Sequence, residues 1–259
     1  MTWTGAESPT DTNRHTETRP TTGCCKSVMK RILLLIPAIL AALALAPSAS
    51  ARVVELGAVG DEANPSCPGT PCEAAVRVTG LQGRIAGGPK NPYYIRRNGY
   101  IVAFTVTLAE PTPQQIAFFN DNFDSPAQVG LAVLRKSKKR RTRLNYRLVN
   151  QSRLFEVENY FGSRPTFVLN RPLRVKKTNW IGVTIPTWAP MFARDLPSTN
   201  WWRASRAKNS CSAPQSLEQF AVTELREVNV FGCTYSGARL LFTATYVPDP
   251  RPTTEDEAN

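Results

Sequence analysis

The chain has 259 residues, with 32 Lys and Arg against 20 Asp and Glu and a single histidine, His15. A hydrophobic share of 42% is enough for a packed core, and a formal charge of +12 selects anionic partners over cationic ones. Chemistry that needs two or more imidazoles is excluded from the outset.

Residues 1–28 form a polar, Thr-rich leader holding Cys24, Cys25 and His15, and they are not expected in the folded product. From Met29 the chain reads MKRILLLIPAILAALALAPSASA, with a basic start, an apolar run from Ile32 to Ala46, and small residues at Ala49, Ser50 and Ala51. That order of parts predicts a signal peptide over 29–51, cut after Ala51, and a secreted or cell-surface product. A spanning helix needs about 20 apolar residues, and this run is shorter and carries Pro37 inside it. No further hydrophobic run follows, so no transmembrane span is expected in the mature chain. Removing residues 1–51 takes away five basic and three acidic residues, which leaves 27 against 17 and a net charge of +10.

Four cysteines remain: Cys67, Cys72, Cys211 and Cys233. An even count in an oxidising compartment predicts disulfides, for which three pairings exist. Cys67–Cys72 is favoured because CPGTPC is a tight Pro/Gly turn, which leaves Cys211–Cys233.

Taken in order, the mature region has a period of two almost throughout. Strands are predicted over Arg52–Leu56 and Ala74–Arg84. Tyr93–Arg97 and Tyr100–Leu108 flank Asn98-Gly99, a pair that favours the positive φ angles of a two-residue hairpin turn. One helix is predicted where Thr112 can cap, Pro113 suits the first position and Gln115 completes a capping box. Ile116, Phe119 and Phe123 then fall on one face. Further strands are predicted over Val129–Leu134, Leu144–Val149, Arg153–Val157, Thr166–Leu169, Leu173–Lys176, Trp180–Ile185 and Arg239–Val247. Leu173–Ile185 reads as two apolar arms around a basic turn. The whole is an all-β chain with one short helix and disulfides, expected to be a single β-sandwich domain over 52–247, jelly-roll-like, before a disordered acidic tail over 248–259.

Without His15 the mature chain has no imidazole, so a Ser-His-Asp triad, a Cys-His pair and H-E-x-x-H zinc chemistry are closed. No phosphate-cradling glycine loop or dinucleotide fingerprint is present, and no nucleotide cofactor, other cofactor or metal site is expected. Carboxylate chemistry stays open in principle. Glu156 and Glu158 alternate on one predicted face, and Asn120–Asp124 (NDNFD) offers oxygen ligands without the EF-hand spacing. Both read better as solvated or turn-forming groups, and no catalytic residue is assigned. Tyr146 between Arg143 and Arg147 would suit a polyanion lyase, but alternation turns Tyr146 away from both arginines.

The positive signal is electrostatic. Arg135, Lys136, Lys138, Lys139, Arg140, Arg141, Arg143 and Arg147 crowd one predicted hairpin tip, which predicts an anion-attracting field. Trp188, Trp201 and Trp202 are candidates for stacking on sugar rings. The expected function is therefore non-enzymatic adhesion to an anionic extracellular polymer, a glycan or the cell surface. The alternatives are a carboxylate- or Tyr/Arg-based glycosidase or lyase, and an envelope protein without a ligand.

Overall fold

A computed structural model describes residues 52–60, 63–213 and 215–250. The predicted leader, signal peptide and most of the acidic tail lie outside the described residues. Fourteen strands run in chain order: β1 (Val54–Leu56), β2 (Ala75–Arg84), β3 (Gly99–Val106), β4 (Gln128–Lys136), β5 (Asn145–Gln151), β6 (Phe155–Glu156) and β7 (Thr166–Val175). They continue as β8 (Asn179–Ala189), β9 (Phe192–Ala193), β10 (Trp201–Ala204), β11 (Val228–Val230), β12 (Cys233–Ser236), β13 (Arg239–Leu240) and β14 (Phe242–Pro248). Helix α1 spans Pro113–Phe123 and a single turn, α2, spans Gln215–Glu218.

Two sheets face each other. The smaller has the order β1-β14-β3-β7, and the larger runs β11-β5-β4-β8-β2-β10-β12, with the short β6 also on β4. Its strand pairs are antiparallel throughout. With β1, β2, β3, β4, β5, β7, β8 and β14 counted first to eighth, one sheet reads first-eighth-third-sixth and the other second-seventh-fourth-fifth. This is the jelly roll, a long antiparallel hairpin rolled so that successive strand pairs alternate between two sheets.

The alternation in the sequence fixes which side chains lie between the sheets. Val129, Leu131 and Val133 of β4, with Ile181, Val183 and Ile185 of β8, pack towards Ile101, Phe104 and Val106 of β3 and Phe242 and Ala244 of β14. The capping box forms as predicted: Thr112 Oγ1 accepts from the Gln115 N–H, and Gln115 Oε1 accepts from the Thr112 N–H. Phe119 and Phe123 are buried, so α1 lies over the sandwich end, with Phe119 stacked on Trp188 at 4.8 Å. Both favoured disulfides are present, Cys67–Cys72 and Cys211–Cys233. Among the described residues no helix is long and apolar enough to cross a membrane.

Several expectations give way to packing. Asn98-Gly99 makes no hairpin, because Tyr93 is fully buried with its hydroxyl on the Phe242 carbonyl and stacked on the Phe242 ring. The 93–95 segment is drawn across β8 instead, through bonds from Ile181 N to Tyr93 O and Ile95 N to Asn179 O. Gly99 opens β3 beside β14, where a Cβ would stand 2.3 Å from the Val247 carbonyl oxygen. The two predicted strands over 166–176 are one, β7, irregular midway. The basic turn after it joins different sheets, so 176–178 is a corner of the sandwich and not a hairpin. Strand β14 extends one residue past the predicted end of the domain at 247. Pro248 closes β14, and Asp249 is tied back by its N–H to Asn98 O and by Arg174.

The largest departure is the connection from β8 to β14. It adds β10 and β12 to the β2 edge, crosses the outer face of the large sheet to form β11 against β5, and returns. On its way Ala221 N bonds Arg77 O, Arg226 N bonds Leu148 O and Phe231 N bonds Leu144 O. This strap buries a second apolar cluster of Leu81, Ala132, Leu134, Tyr146, Leu148, Trp180 and Phe231. The large sheet is therefore apolar on both faces, and the strap leaves part of its outer face open.

Candidate anion-binding face

All eight predicted cations stand exposed around the β4–β5 tip. The tip is ordered by its own backbone: Ser137 N bonds Asn145 O, Thr142 N bonds Lys139 O, and the Ser137 and Thr142 hydroxyls meet at 2.7 Å. A short 3-10 turn over Arg140–Thr142 closes it. Arg135 and Arg147 pair directly across the two strands. Like charges placed opposite one another destabilise a strand pair, so the cost of this pairing falls when an anion comes between them.

Three contiguous hollows surround the tip. The largest, about 1250 Å³, is an edge cleft lined by Arg135, Lys136, Lys138, Lys139 and Arg147 and, from the β7–β8 corner, Arg174, Lys176 and Lys177. The corner is locked in place, with Asn179 Oδ1 accepting from Lys176 N and Asn98 Oδ1 accepting from Lys177 N. A second hollow of about 480 Å³ holds Arg140, Arg141, Arg143 and Lys208. The third, about 470 Å³, is the groove left open on the outer face of the large sheet, between the tip and β10. Lys136, Arg143, Arg203 and Lys208 line it together with Tyr146, Trp180 and Trp201.

Together these hollows expose thirteen different Lys and Arg side chains, and among the described residues no carboxylate lines any of them. Only Arg174 of the thirteen has an ion pair among the described residues, a two-pronged bond to Asp249 at 2.8 Å. That bond holds the Asp249 carboxyl below its ordinary range. Two of the others rest on rings, Lys136 Nζ 6.0 Å from the centre of Tyr146 and Arg203 Cζ 5.3 Å from that of Trp201. A ring face orients a cation without neutralising it. The tip is visible in the sequence, whereas Arg174, Lys176, Lys177, Arg203 and Lys208 are brought beside it only by folding.

The three tryptophans part company. Trp188 is completely buried, stacked on Phe119 with its Nε1–H donated to Asn120 Oδ1. Trp202 is buried and stacked on Tyr235 at 4.8 Å. Neither offers a face to a sugar, because α1 covers one and the inner side of the large sheet takes the other. Trp201 is the half-buried one, turned outward where the register slips between it and Trp202.

The other candidates are held in structural roles. Glu156 ends β6, whereas Glu158 turns away to accept the Ala127 N–H at 2.9 Å. In the 120–124 group, Asn122 bonds the Phe118 carbonyl and Asp124 pairs with Arg77 at 2.7 Å. Comparison with family models, curated proteins and solved structures finds no match, which leaves the functional reading to the site's own chemistry.

Proposed function

We propose that the protein is an exported, non-enzymatic β-sandwich that holds anionic extracellular polymers or an anionic cell surface against its basic face. One observation carries the reading: thirteen cations ring three joined hollows that no described carboxylate lines. Clustered charge of one sign raises the local concentration of counter-charged polymer and speeds its capture. The signal-peptide pattern over 29–51 supports export, as do the two disulfides, which persist in oxidising compartments.

The test is retention on immobilised heparin. A variant carrying Lys136→Gln, Lys138→Gln, Lys139→Gln, Arg140→Gln and Arg141→Gln elutes at clearly lower salt if the reading holds. Elution of parent and variant at the same salt removes its support and leaves a structural protein without a ligand.

A polyanion lyase has one observation in its favour, since Tyr146 shares the outer-face groove with Arg143 and Arg203. Against it, burial raises the Tyr146 phenol above its ordinary value and Arg203 offsets only part of that. A base for neutral pH needs the opposite shift. Release of unsaturated uronate ends from an acidic polysaccharide would establish the lyase instead.

A further inference from the structure

We propose that the outer-face groove is a saccharide site that selects acidic sugar units, with Trp201 as the stacking platform and Arg203 taking the acid group. The inference rests on the polyanion reading and narrows it, because bare charge would be served by the edge cleft alone.

The groove differs from the other hollows in its floor. Tyr146, Trp180 and Leu81 give it an apolar base on the outer side of the large sheet. Its volume of about 470 Å³ lies within the usual range of small-ligand sites. Trp201 lies flat across Gly83 of β2, where a Cβ would stand 1.9 Å from two indole carbons. Gly83 is the extra residue at the register slip between Trp201–Arg84 and Trp202–Gln82. The missing side chain lets the indole settle onto the backbone, which fixes the ring at the groove's rim.

Arg203 follows two residues later on the same face, its guanidinium 5.3 Å from the indole centre. A ring rim with a guanidinium held partly over it, its Nη1–H directed at the Phe231 carbonyl oxygen at 3.5 Å, matches a pyranose that carries a carboxylate, sulfate or phosphate. Lys136, Arg143 and Lys208 ring the rest of the groove, so neighbouring acidic units meet further cations. Asn91 is the one amide in the groove and no described carboxylate lines it, so its four cations outweigh the groups that would hold neutral hydroxyls. A single-stranded nucleic acid needs successive exposed rings for successive bases. Here Trp201 alone stands out, while Trp180 and Tyr146 are 8% and 3% exposed.

The experiment compares a heparin-derived hexasaccharide, a linear polyphosphate and an oligothymidylate, all at one salt concentration. The proteins are the parent, Trp201→Ala, Arg203→Gln and a tip variant with Lys138, Lys139, Arg140 and Arg141 changed to Gln. Trp201→Ala and Arg203→Gln are expected to weaken the hexasaccharide by roughly tenfold, the scale of one ring contact, and polyphosphate by less than about twofold. The tip variant weakens both. Equal loss on hexasaccharide and polyphosphate, or no loss with Trp201→Ala, overturns the saccharide site and leaves the polyanion reading standing. A larger loss on oligothymidylate than on the hexasaccharide overturns it in favour of nucleic acid. If the parent binds none of the three, the polyanion reading itself falls. Circular dichroism of each variant separates loss of binding from loss of fold.

Discussion

Removing the Cys211–Cys233 bridge by Cys211→Ala and Cys233→Ala should loosen the strap and leave the jelly roll intact. The bridge closes a loop across a sequence separation of 22 residues. Chain-entropy reasoning assigns such a closure roughly 3 kcal/mol at 25 °C. That loop contains the chain that crosses the outer face, including Phe231, whose ring lies 4.9 Å from Tyr146. None of the eight jelly-roll strands lies within it. The loss should therefore be local. Measured by native-state hydrogen exchange, the Phe231 amide, bonded to Leu144 O, should exchange on the order of a hundredfold faster. The amides of Ile181 and Val183, in the middle of β8, should change by only a few-fold. Equal acceleration at Phe231 and in β8 would show that strap and sandwich unfold as one unit, and no change at Phe231 would show that the bridge does not hold the strap; either result refutes the reasoning.

Trp188→Ala empties a fully buried site beneath α1 and orphans Asn120 Oδ1, and should cost about 3–5 kcal/mol in denaturant unfolding while leaving heparin retention of the folded protein unchanged. Asp249→Asn removes the carboxylate that pairs Arg174, so heparin retention should rise to higher salt; unchanged or lower elution would show that Arg174 does not contribute. Because Arg174 holds the Asp249 carboxyl below its usual range, that pair persists as pH rises above about 4 and is lost only as pH falls through the lowered value. Retention on a sulfated matrix should be flat from about pH 5 to 8, since the hollows carry only Lys and Arg as charged groups; a break near pH 6.5 would place an imidazole-like group in the site.

The legible parts of the fold were those set by local chemistry. Thr112, Pro113 and Gln115 specify a helix start through bonds within one turn, and the five-residue spacing of Cys67 and Cys72 leaves the first bridge little choice. Alternation set Leu144, Tyr146 and Leu148 against Arg143, Asn145 and Arg147. Within β5 it separates Tyr146 and Leu148 from Arg147, but Arg143, ahead of the strand, lines the groove with Tyr146. Alternation could not say which group would face the opposite sheet, because the strap makes a second apolar layer. As a result Tyr146 and Leu148 lie on the outer side, and Arg147 shares the basic edge cleft with Arg135. Asn98-Gly99 misled for the opposite reason: a good local turn signal lost to the burial of Tyr93. The site followed the same division. A run of like charges is visible in sequence, whereas Arg174, Lys176, Lys177, Arg203 and Lys208 join it only through strand order and a long connection. Tryptophan type alone could not tell the half-buried Trp201 from the fully buried Trp188.

Lysine-selective labelling of the folded protein, with and without a sulfated polymer, tests the basic face most directly. Six of the seven lysines after residue 51, Lys136, Lys138, Lys139, Lys176, Lys177 and Lys208, line the joined hollows, while exposed Lys90 lies outside them. Binding there protects the six and leaves Lys90 reactive. Protection of Lys90 to the same degree, or of none of the seven at a polymer concentration that saturates binding, would contradict the assignment.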